Sequence, residues 1–468
     1  MSFDRDKPRE HCGVFGIYGP GLDVARLAFY GLYALQHRGQ ESAGIATADG
    51  SQIHLHKGMG LVPDVFNESV ISKLKGHSTI GHVRYSTTGS SLAVNAQPLV
   101  FSYAGGRIGL AHNGNLTNIC ELRQQMAASG AVFQTTTDSE VIVNLIARHS
   151  QHSLEEALVK CMIDIKGAYS LVIQTENRLL AMRDPFGFRP LCLGKLGNAW
   201  VVASESCALD TIGAEFIRDI QGGEIVVMDE NGLVSINALA GNRQAHCIFE
   251  YIYFARADSR INGFNVNRVR RMMGEQLARE YPIEADLVLP VPDSGIPAAR
   301  GYADASGIPF EEGLMKNRYI GRTFIQPAQH LRDLGVRLKL NPIREVLEGK
   351  RVVLVDDSLV RGTTSSKIVK MLRDAGATEI HLCLSSPPVT CPCYYGIDTS
   401  NRKELIAAQK KIEEIRQFTG ADSLNYLSLD GLLGVFGERR GDFCTACFDG
   451  DYPVKMHEKM NGKFALEG

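Results

Sequence analysis

The chain has 468 residues, with 50 Lys plus Arg against 52 Asp plus Glu, a balance that sets up no broad field for DNA, RNA or an anionic membrane and leaves any phosphate binding local. Its length exceeds one ordinary hydrophobic core and implies two or three domains. No run approaches the roughly 20 apolar residues that span a bilayer, and the front segment lacks the apolar stretch of a signal peptide, so a cytoplasmic protein is expected.

The first eleven residues, MSFDRDKPREH, are mostly polar and run straight into a strand that begins at Cys12. From there to about residue 240 the chain reads as short strands separated by turn residues: CGVFGIYG, AGIATADG, QIHLHKGMG, TIGHVRYS, IGLAHNGNL, AYSLVIQT, RLLAMRDP, AWVVASES and GEIVVMDENG. Two helical patterns interrupt them, Val24 to His37 and Ser139 to His149, the second with Val141, Ile142, Leu145 and Ile146 at helical spacing. Many strands with few helices predict an α+β domain whose sheets are covered by helices.

After about residue 250 strand and helix alternate. ADLVLPVPDSG predicts a buried strand and a turn, IPAARGYADASG a helix closed by Gly307, KRVVLVDDS a strand, SSKIVKMLRDAG a helix, and EIHLCLSS a further strand. Alternation with fully apolar strands predicts a parallel α/β sheet, and the change of rhythm places the split near residue 245.

The run from Val352 to Ser365 carries the sharpest signal. A buried strand delivers Asp356 and Asp357 to its carboxyl end, and a tight loop with Gly362, Thr363, Thr364 and Ser365 opens a helix whose first N–H groups suit a phosphate. Neither the Walker loop nor the dinucleotide fingerprint has this glycine spacing. The run resembles the phosphoribosylpyrophosphate motif of type I phosphoribosyltransferases. That resemblance implies that Asp356 and Asp357 hold the ribose hydroxyls and associated Mg²⁺ while Gly362 to Ser365 cradle the 5′-phosphate. VPDSG, with Asp293, Ser294 and Gly295, matches the family's pyrophosphate loop, with Ser294 as a metal contact. KNRYIGRTFIQP, with Lys316, Arg318 and Arg322, is expected to form a cationic lid over the leaving group.

Cys12 is followed by three polar islands at strand ends or turns: GHVRYSTTG with Arg84, AHNGNL with Asn113 and Gly114, and TTTDSE with Asp138. Most cysteines on apolar strands are inert packing, the reading given to Cys120, Cys161, Cys192, Cys207 and Cys383. The islands, together with LQHRGQESAGI at Leu35 to Ile45, resemble the glutaminase domain of class II amidotransferases over roughly Cys12 to residue 240. The resemblance implies a four-layer N-terminal nucleophile sandwich, Arg84 and Asp138 holding glutamine, and Asn113 with the Gly114 N–H as the oxyanion hole. A thiolate attacks the side-chain amide, two donors stabilise the oxyanion, and a thioester hydrolyses. A terminal α-amino group, with a reference pKa of about 7.7 to 8.0, serves as base once Cys12 is the first residue. Residues 1–11 are therefore expected to be a propeptide, with the glutaminase domain at 12–245 and the phosphoribosyltransferase domain, with a cluster-binding tail, at 246–468.

The two halves in this order resemble the phosphoribosylpyrophosphate amidotransferase family of de novo purine synthesis. The resemblance implies 5-phosphoribosylamine, glutamate and pyrophosphate as products, a homotetramer, and feedback inhibition by purine nucleotides such as AMP and GMP. Sibling amidotransferases that make glucosamine 6-phosphate or asparagine lack the Asp356-Asp357 loop. The rival reading is a regulatory protein that senses phosphoribosylpyrophosphate without transferring it.

Five more thiols remain to be placed. Cys444 and Cys447 have two residues between them, Cys247 lies at the domain junction, and Cys391-Pro392-Cys393 follows SSPPVT. Zinc and iron–sulfur clusters both accept four cysteines, and ligand type alone does not separate them. One branch of the family carries a [4Fe–4S] cluster in a pattern that matches Cys247, Cys393, Cys444 and Cys447. That assignment makes Cys391 a bystander, with an exchange between Cys391 and Cys393 left open, and makes the protein oxygen-labile.

Overall fold

A computed structural model gives the fold and describes residues 12–85, 89–239, 243–317, 339–399 and 401–454. The first half holds two antiparallel sheets. One has seven strands, in the order Glu215–Asp219, Cys192–Leu196, Ala199–Ala203, Gly13–Tyr18, Ser78–Arg84, Ser42–Ala48 and Ile53–Met59. The other has six, in the order Gly232–Asn237, Glu224–Asp229, Leu179–Arg183, Gly167–Gln174, Gly106–Leu116 and Leu99–Tyr103.

The layering follows from strand periodicity. In GVFGIY every residue is buried, so both faces of this strand must be covered. Phe15 and Ile17 pack with helices Val24–Ala34 and Ser206–Thr211 on the outer face, while Val14 and Tyr18 meet Ala111, Val172 and Ala181 between the sheets. Helices Asp138–His149 and Leu154–Asp164 cover the far side of the six-stranded sheet through Ile142, Ile146 and Leu158. The result is the four-layer sandwich, helices–sheet–sheet–helices.

The second half is built on a parallel sheet of four strands, Leu287–Pro290, Arg351–Asp356, Glu379–Leu384 and Ser423–Tyr426. Alternate residues again divide the core. Val288, Val353 and Val355 face helices Val266–Glu280 and Ile296–Ser306, whereas Leu289, Val352 and Leu354 face helices Thr363–Asp374 and Ile412–Thr419. At roughly 1.5–3 kcal/mol for each fully buried Val or Leu, both faces are needed to hold so short a sheet. The tail folds back on the junction, where His246–Cys247 pairs in parallel with Phe443–Cys444.

Several elements differ from expectation. The helix from Val24 ends at Ala34 and gives way to a 3₁₀ turn at Gln36–Arg38, because Gly39 is extended. Helices Ile119–Ala128 and Leu154–Asp164 and strands Leu99–Tyr103, Cys192–Leu196, Glu215–Asp219 and Gly232–Asn237 were not expected. Three of those strands are sheet edges, and Gly232–Asn237 has no fully buried residue, so its side chains carry little apolar pattern. No helix among the described residues is long and apolar enough to cross a membrane.

Candidate active sites

Cys12 stands immediately before the strand Gly13–Tyr18, at the end where that strand runs beside Ser78–Arg84. Its thiol is buried and donates to the Tyr85 carbonyl at 3.3 Å. Burial pushes the thiol up to about 11, with Glu41 and Asp138 adding to the rise while the Tyr85 contact and Arg84 oppose it. The register therefore brings Arg84 and Asp138, distant in sequence, into the electrostatic field of Cys12. A thiol so raised holds almost no thiolate at neutral pH and needs a base to react.

The expected oxyanion donors lie on the strand Gly106–Leu116. Asn113 is fully buried, yet neither its Nδ2 nor its Oδ1 has a hydrogen-bond partner. Leaving such a group unpaired costs roughly 1–3 kcal/mol, a cost that a ligand accepting and donating there would offset. Gly114 has φ +150, and a Cβ there would lie 2.0 Å from the Ala168 carbonyl oxygen, so no other residue fits.

Asp138 opens the helix Asp138–His149, where the helix N-terminus favours an anion. Its Oδ2 accepts from the Leu116 N–H at 3.2 Å, and its Oδ1 is 3.4 Å from His112 Nδ1. Burial alone would raise its carboxyl, but His112 and these donors outweigh it and hold the group below the ordinary range. Arg84, 2% exposed, donates to the Ser90 carbonyl and lies 3.7 Å from Glu41. An anion-holding cation and a cation-holding anion thus flank one thiol.

Beneath this site lies a charged network that sequence reasoning did not assign. Arg38 donates through Nε to the Cys12 carbonyl at 3.2 Å and through its other nitrogens to Glu205 and Glu250. Glu205 also receives His37 at 2.7 Å, Ser259 at 2.6 Å and the Arg256 N–H at 2.9 Å. Arg38 sits within LQHRGQESAGI, but nothing in that run names its partners, which arrive from 167 and 212 residues away.

In the second half, Asp356 ends the strand Arg351–Asp356 and Asp357 follows it, both buried. Asp356 Oδ1 accepts from the Asp357 N–H at 2.8 Å, and Asp357 Oδ1 accepts from Ser358 Oγ at 2.6 Å. Gly362 has φ +79 and begins the helix Thr363–Asp374, which carries Thr363, Thr364 and Ser365 in its first turn. The N-terminal end of a helix, where the first N–H groups lie outside its own ladder, is suited to an anion such as phosphate.

Gly295 begins the neighbouring helix Ile296–Ser306, and a Cβ on it would lie 2.6 Å from the Val355 carbonyl oxygen. The loop Asp293-Ser294-Gly295 is thereby pressed against the strand that bears Asp356. Lys316 reaches the same loop, its Nζ donating to Asp293 Oδ2 at 2.6 Å. Arg318 and Arg322 lie outside the described residues. Carboxylates and hydroxyls are hard oxygen donors of the type that Mg²⁺ prefers.

The four thiols at the junction border one cavity. Cys247, Cys393, Cys444 and Cys447 line it together with Phe188, Arg189 and Tyr395. Cys247 and Cys444 are register partners in the parallel pair that closes the tail. Burial raises the thiols of Cys444, Cys447 and Cys247, the last to about 11, and Arg189 opposes the rise at both Cys247 and Cys444. Cys391 does not line the cavity; it contacts the Thr390 hydroxyl. Among the described residues no group of three or more His, Cys, Asp or Glu side chains stands close enough to hold a metal ion.

Comparisons with known proteins find relatives of both halves. Residues 82–211 match a glutamine amidotransferase domain model and residues 265–390 a phosphoribosyl transferase domain model. An amidophosphoribosyltransferase of Synechocystis is 52% identical over 469 aligned residues, 99% of this chain and 95% of the relative. One of Bacillus subtilis is 50% identical, covering 96% of this chain and 95% of the relative. The solved glutamine phosphoribosylpyrophosphate amidotransferase of B. subtilis, complexed with ADP and GMP, superposes with a TM-score of 0.92 at 49% identity, covering 97% of this chain and 99% of that one. A structure described as the allosteric regulatory enzyme of purine biosynthesis gives 0.93, also at 49% identity, over 97% of this chain and 99% of that one.

Proposed function

This chain belongs to the amidophosphoribosyltransferase family, and we propose that within it Cys12 frees ammonia from glutamine in the first half for use in the second. It is an enzyme that makes 5-phosphoribosylamine, glutamate and pyrophosphate from glutamine, phosphoribosylpyrophosphate and water, the first committed step of de novo purine biosynthesis. The sensor alternative is not favoured, since the relatives are named as transferases along nearly their full length.

The observation that carries the assignment of roles is the buried, unpartnered amide of Asn113 beside Gly114, in the same site as a buried thiol flanked by Arg84 and Asp138. Glutamine binds with its carboxylate on Arg84 and its ammonium on Asp138. The Cys12 thiol gives its proton to a base and attacks the side-chain amide carbon. Asn113 Nδ2 and the Gly114 N–H hold the resulting oxyanion, ammonia leaves, and water cleaves the thioester to glutamate. The base is the α-amino group of Cys12, which titrates near neutrality only when residues 1–11 have been removed as a propeptide.

In the second half Asp356 and Asp357 hold the ribose hydroxyls, and Gly362, Thr363, Thr364 and Ser365 cradle the 5′-phosphate. Asp293, Gly295 and Lys316, with Arg318 and Arg322, surround the pyrophosphate. Ammonia attacks C1 of the ribose and the C1–O bond to pyrophosphate breaks. Ser294, Asp356 and Asp357 hold Mg²⁺, which when bound neutralises charge on the departing pyrophosphate.

Cys247, Cys393, Cys444 and Cys447 hold a [4Fe–4S] cluster of structural purpose, joining the tail to the junction, a reading supported by the four thiols lining one pocket where Cys247 and Cys444 pair. Purine nucleotides such as AMP and GMP act as feedback inhibitors, a reading supported by the relative solved with ADP and GMP. The enzyme works as a cytoplasmic homotetramer.

Cys12→Ala tests the assignment. It is expected to abolish glutamine-dependent pyrophosphate release and to spare release driven by ammonia, while the intact mass of the mature wild-type chain corresponds to a start at Cys12. Glutamine-driven turnover that survives Cys12→Ala removes Cys12 from the mechanism.

A further inference from the structure

One turn of the second half reaches into the glutaminase site. Residues 393–396 follow the strand Glu379–Leu384 and lie about 280 residues beyond Gly114, yet they contact the strand that carries Asn113 and Gly114. Asn115 Nδ2 donates to the Tyr394 carbonyl at 2.9 Å. Gly396 is next to Gly114: a Cβ on it would reach van der Waals contact, 3.4 Å from the Gly114 carbonyl carbon and 3.5 Å from its oxygen.

The turn is rigidly held on its other sides. Arg189, fully buried, donates to the Tyr395 carbonyl through both Nε and Nη2. The Tyr395 ring stacks on Phe188 at 4.4 Å between centroids, and its hydroxyl donates to the Val454 carbonyl at 2.8 Å. The Tyr395 N–H in turn donates to Cys393 Sγ at 3.4 Å, which ties the turn to the thiol-lined cavity. Gly396 has φ +108, a conformation that a side chain resists.

We infer that the turn 393–396 is a positioning element of the glutaminase reaction, fixing through Asn115 and Gly396 the strand segment whose Gly114 N–H and Asn113 amide meet the oxyanion. The inference rests on the roles given above to Cys12, Asn113 and Gly114. Oxyanion donors act only when aimed at the place where charge develops, so a loosened strand costs turnover while glutamine binding, which relies on Arg84 and Asp138, is little changed. The second half thus completes the first half's site without supplying a reacting group.

Two variants approach the contact from opposite sides, Asn115→Ala and Gly396→Ala, each assayed in the full-length enzyme with glutamine and separately with ammonia. Both are expected to lower the glutamine-dependent kcat by about 10-fold or more, with the KM for glutamine within about 3-fold of wild type and ammonia-dependent synthesis unchanged. A wild-type glutamine kcat in either folded variant overturns the inference. So does a parallel fall in both activities, which marks a general packing defect. If one variant fails to fold, the other decides. Cys12→Ala runs alongside: glutamine turnover in that variant refutes the nucleophile assignment, whereas its loss together with wild-type Asn115→Ala and Gly396→Ala refutes the positioning role alone.

Discussion

Gly114 shows how much one atom decides in this site. Its φ of +150 and the 2.0 Å approach of the Ala168 oxygen to a would-be Cβ leave no room for a side chain. Gly114→Ala must therefore shift the strand pair that holds Asn113 beside its neighbour Ser170. The expected result is a loss of glutamine-dependent turnover of about 100-fold or more, the scale of removing an oxyanion donor, read as kcat against ammonia-dependent synthesis as control. Asn113 makes the complementary point. A glycine in AHNGNL is visible in sequence, but that both polar atoms of the neighbouring amide lie buried without partners is a property of the packed sheets.

At the scale of elements, the Arg38–Glu205–Glu250 network joins the turn after the first helix, the loop before Ser206–Thr211 and the segment past the junction, and it ends on the Cys12 carbonyl. Burial by itself would raise the Glu205 carboxyl, but His37 and Arg38 outweigh it and depress the group well below its ordinary value. A depressed acid adds stability above its unfolded pKa of about 4.3 and loses it as pH falls toward the folded value.

Glu205→Ala leaves Arg38 short of a partner in the core, with an expected cost of roughly 3–5 kcal/mol at pH 7. Thermal unfolding of wild type and variant from pH 7 downward should show the gap in Tm narrowing below about pH 4. A gap that stays constant with pH would assign the loss to packing alone. The buried central strands and the Thr363–Asp374 helix were legible because apolar period and turn residues are local; this network was not, because each ion's partner lies in another element.

At the scale of the molecule, the tail and the junction are held together where Cys247 and Cys444 pair and four thiols wall a cavity. Anaerobic purification is expected to yield iron and acid-labile sulfide in stoichiometric amounts, with Cys444→Ser losing both; stoichiometric zinc without sulfide would sink the cluster assignment. Cys391 and Cys393, equivalent in the sequence, are separated by the fold, since only Cys393 faces the cavity.

What the sequence determined by itself is whatever depends on neighbours along the chain. That covers the abrupt strand start at Cys12, the acids and hydroxyls gathered at Asp356 to Ser365, the change from many-stranded to alternating rhythm, and the motifs that place both halves in known families. Only the tertiary structure decided that Arg84 and Asp138 share the field of Cys12, that Arg38 closes on Glu205 and Glu250, and that a turn near residue 395 abuts Gly114. Those contacts depend on sheet register and on the docking of the two halves, and neither leaves a periodic trace in the residues that make them.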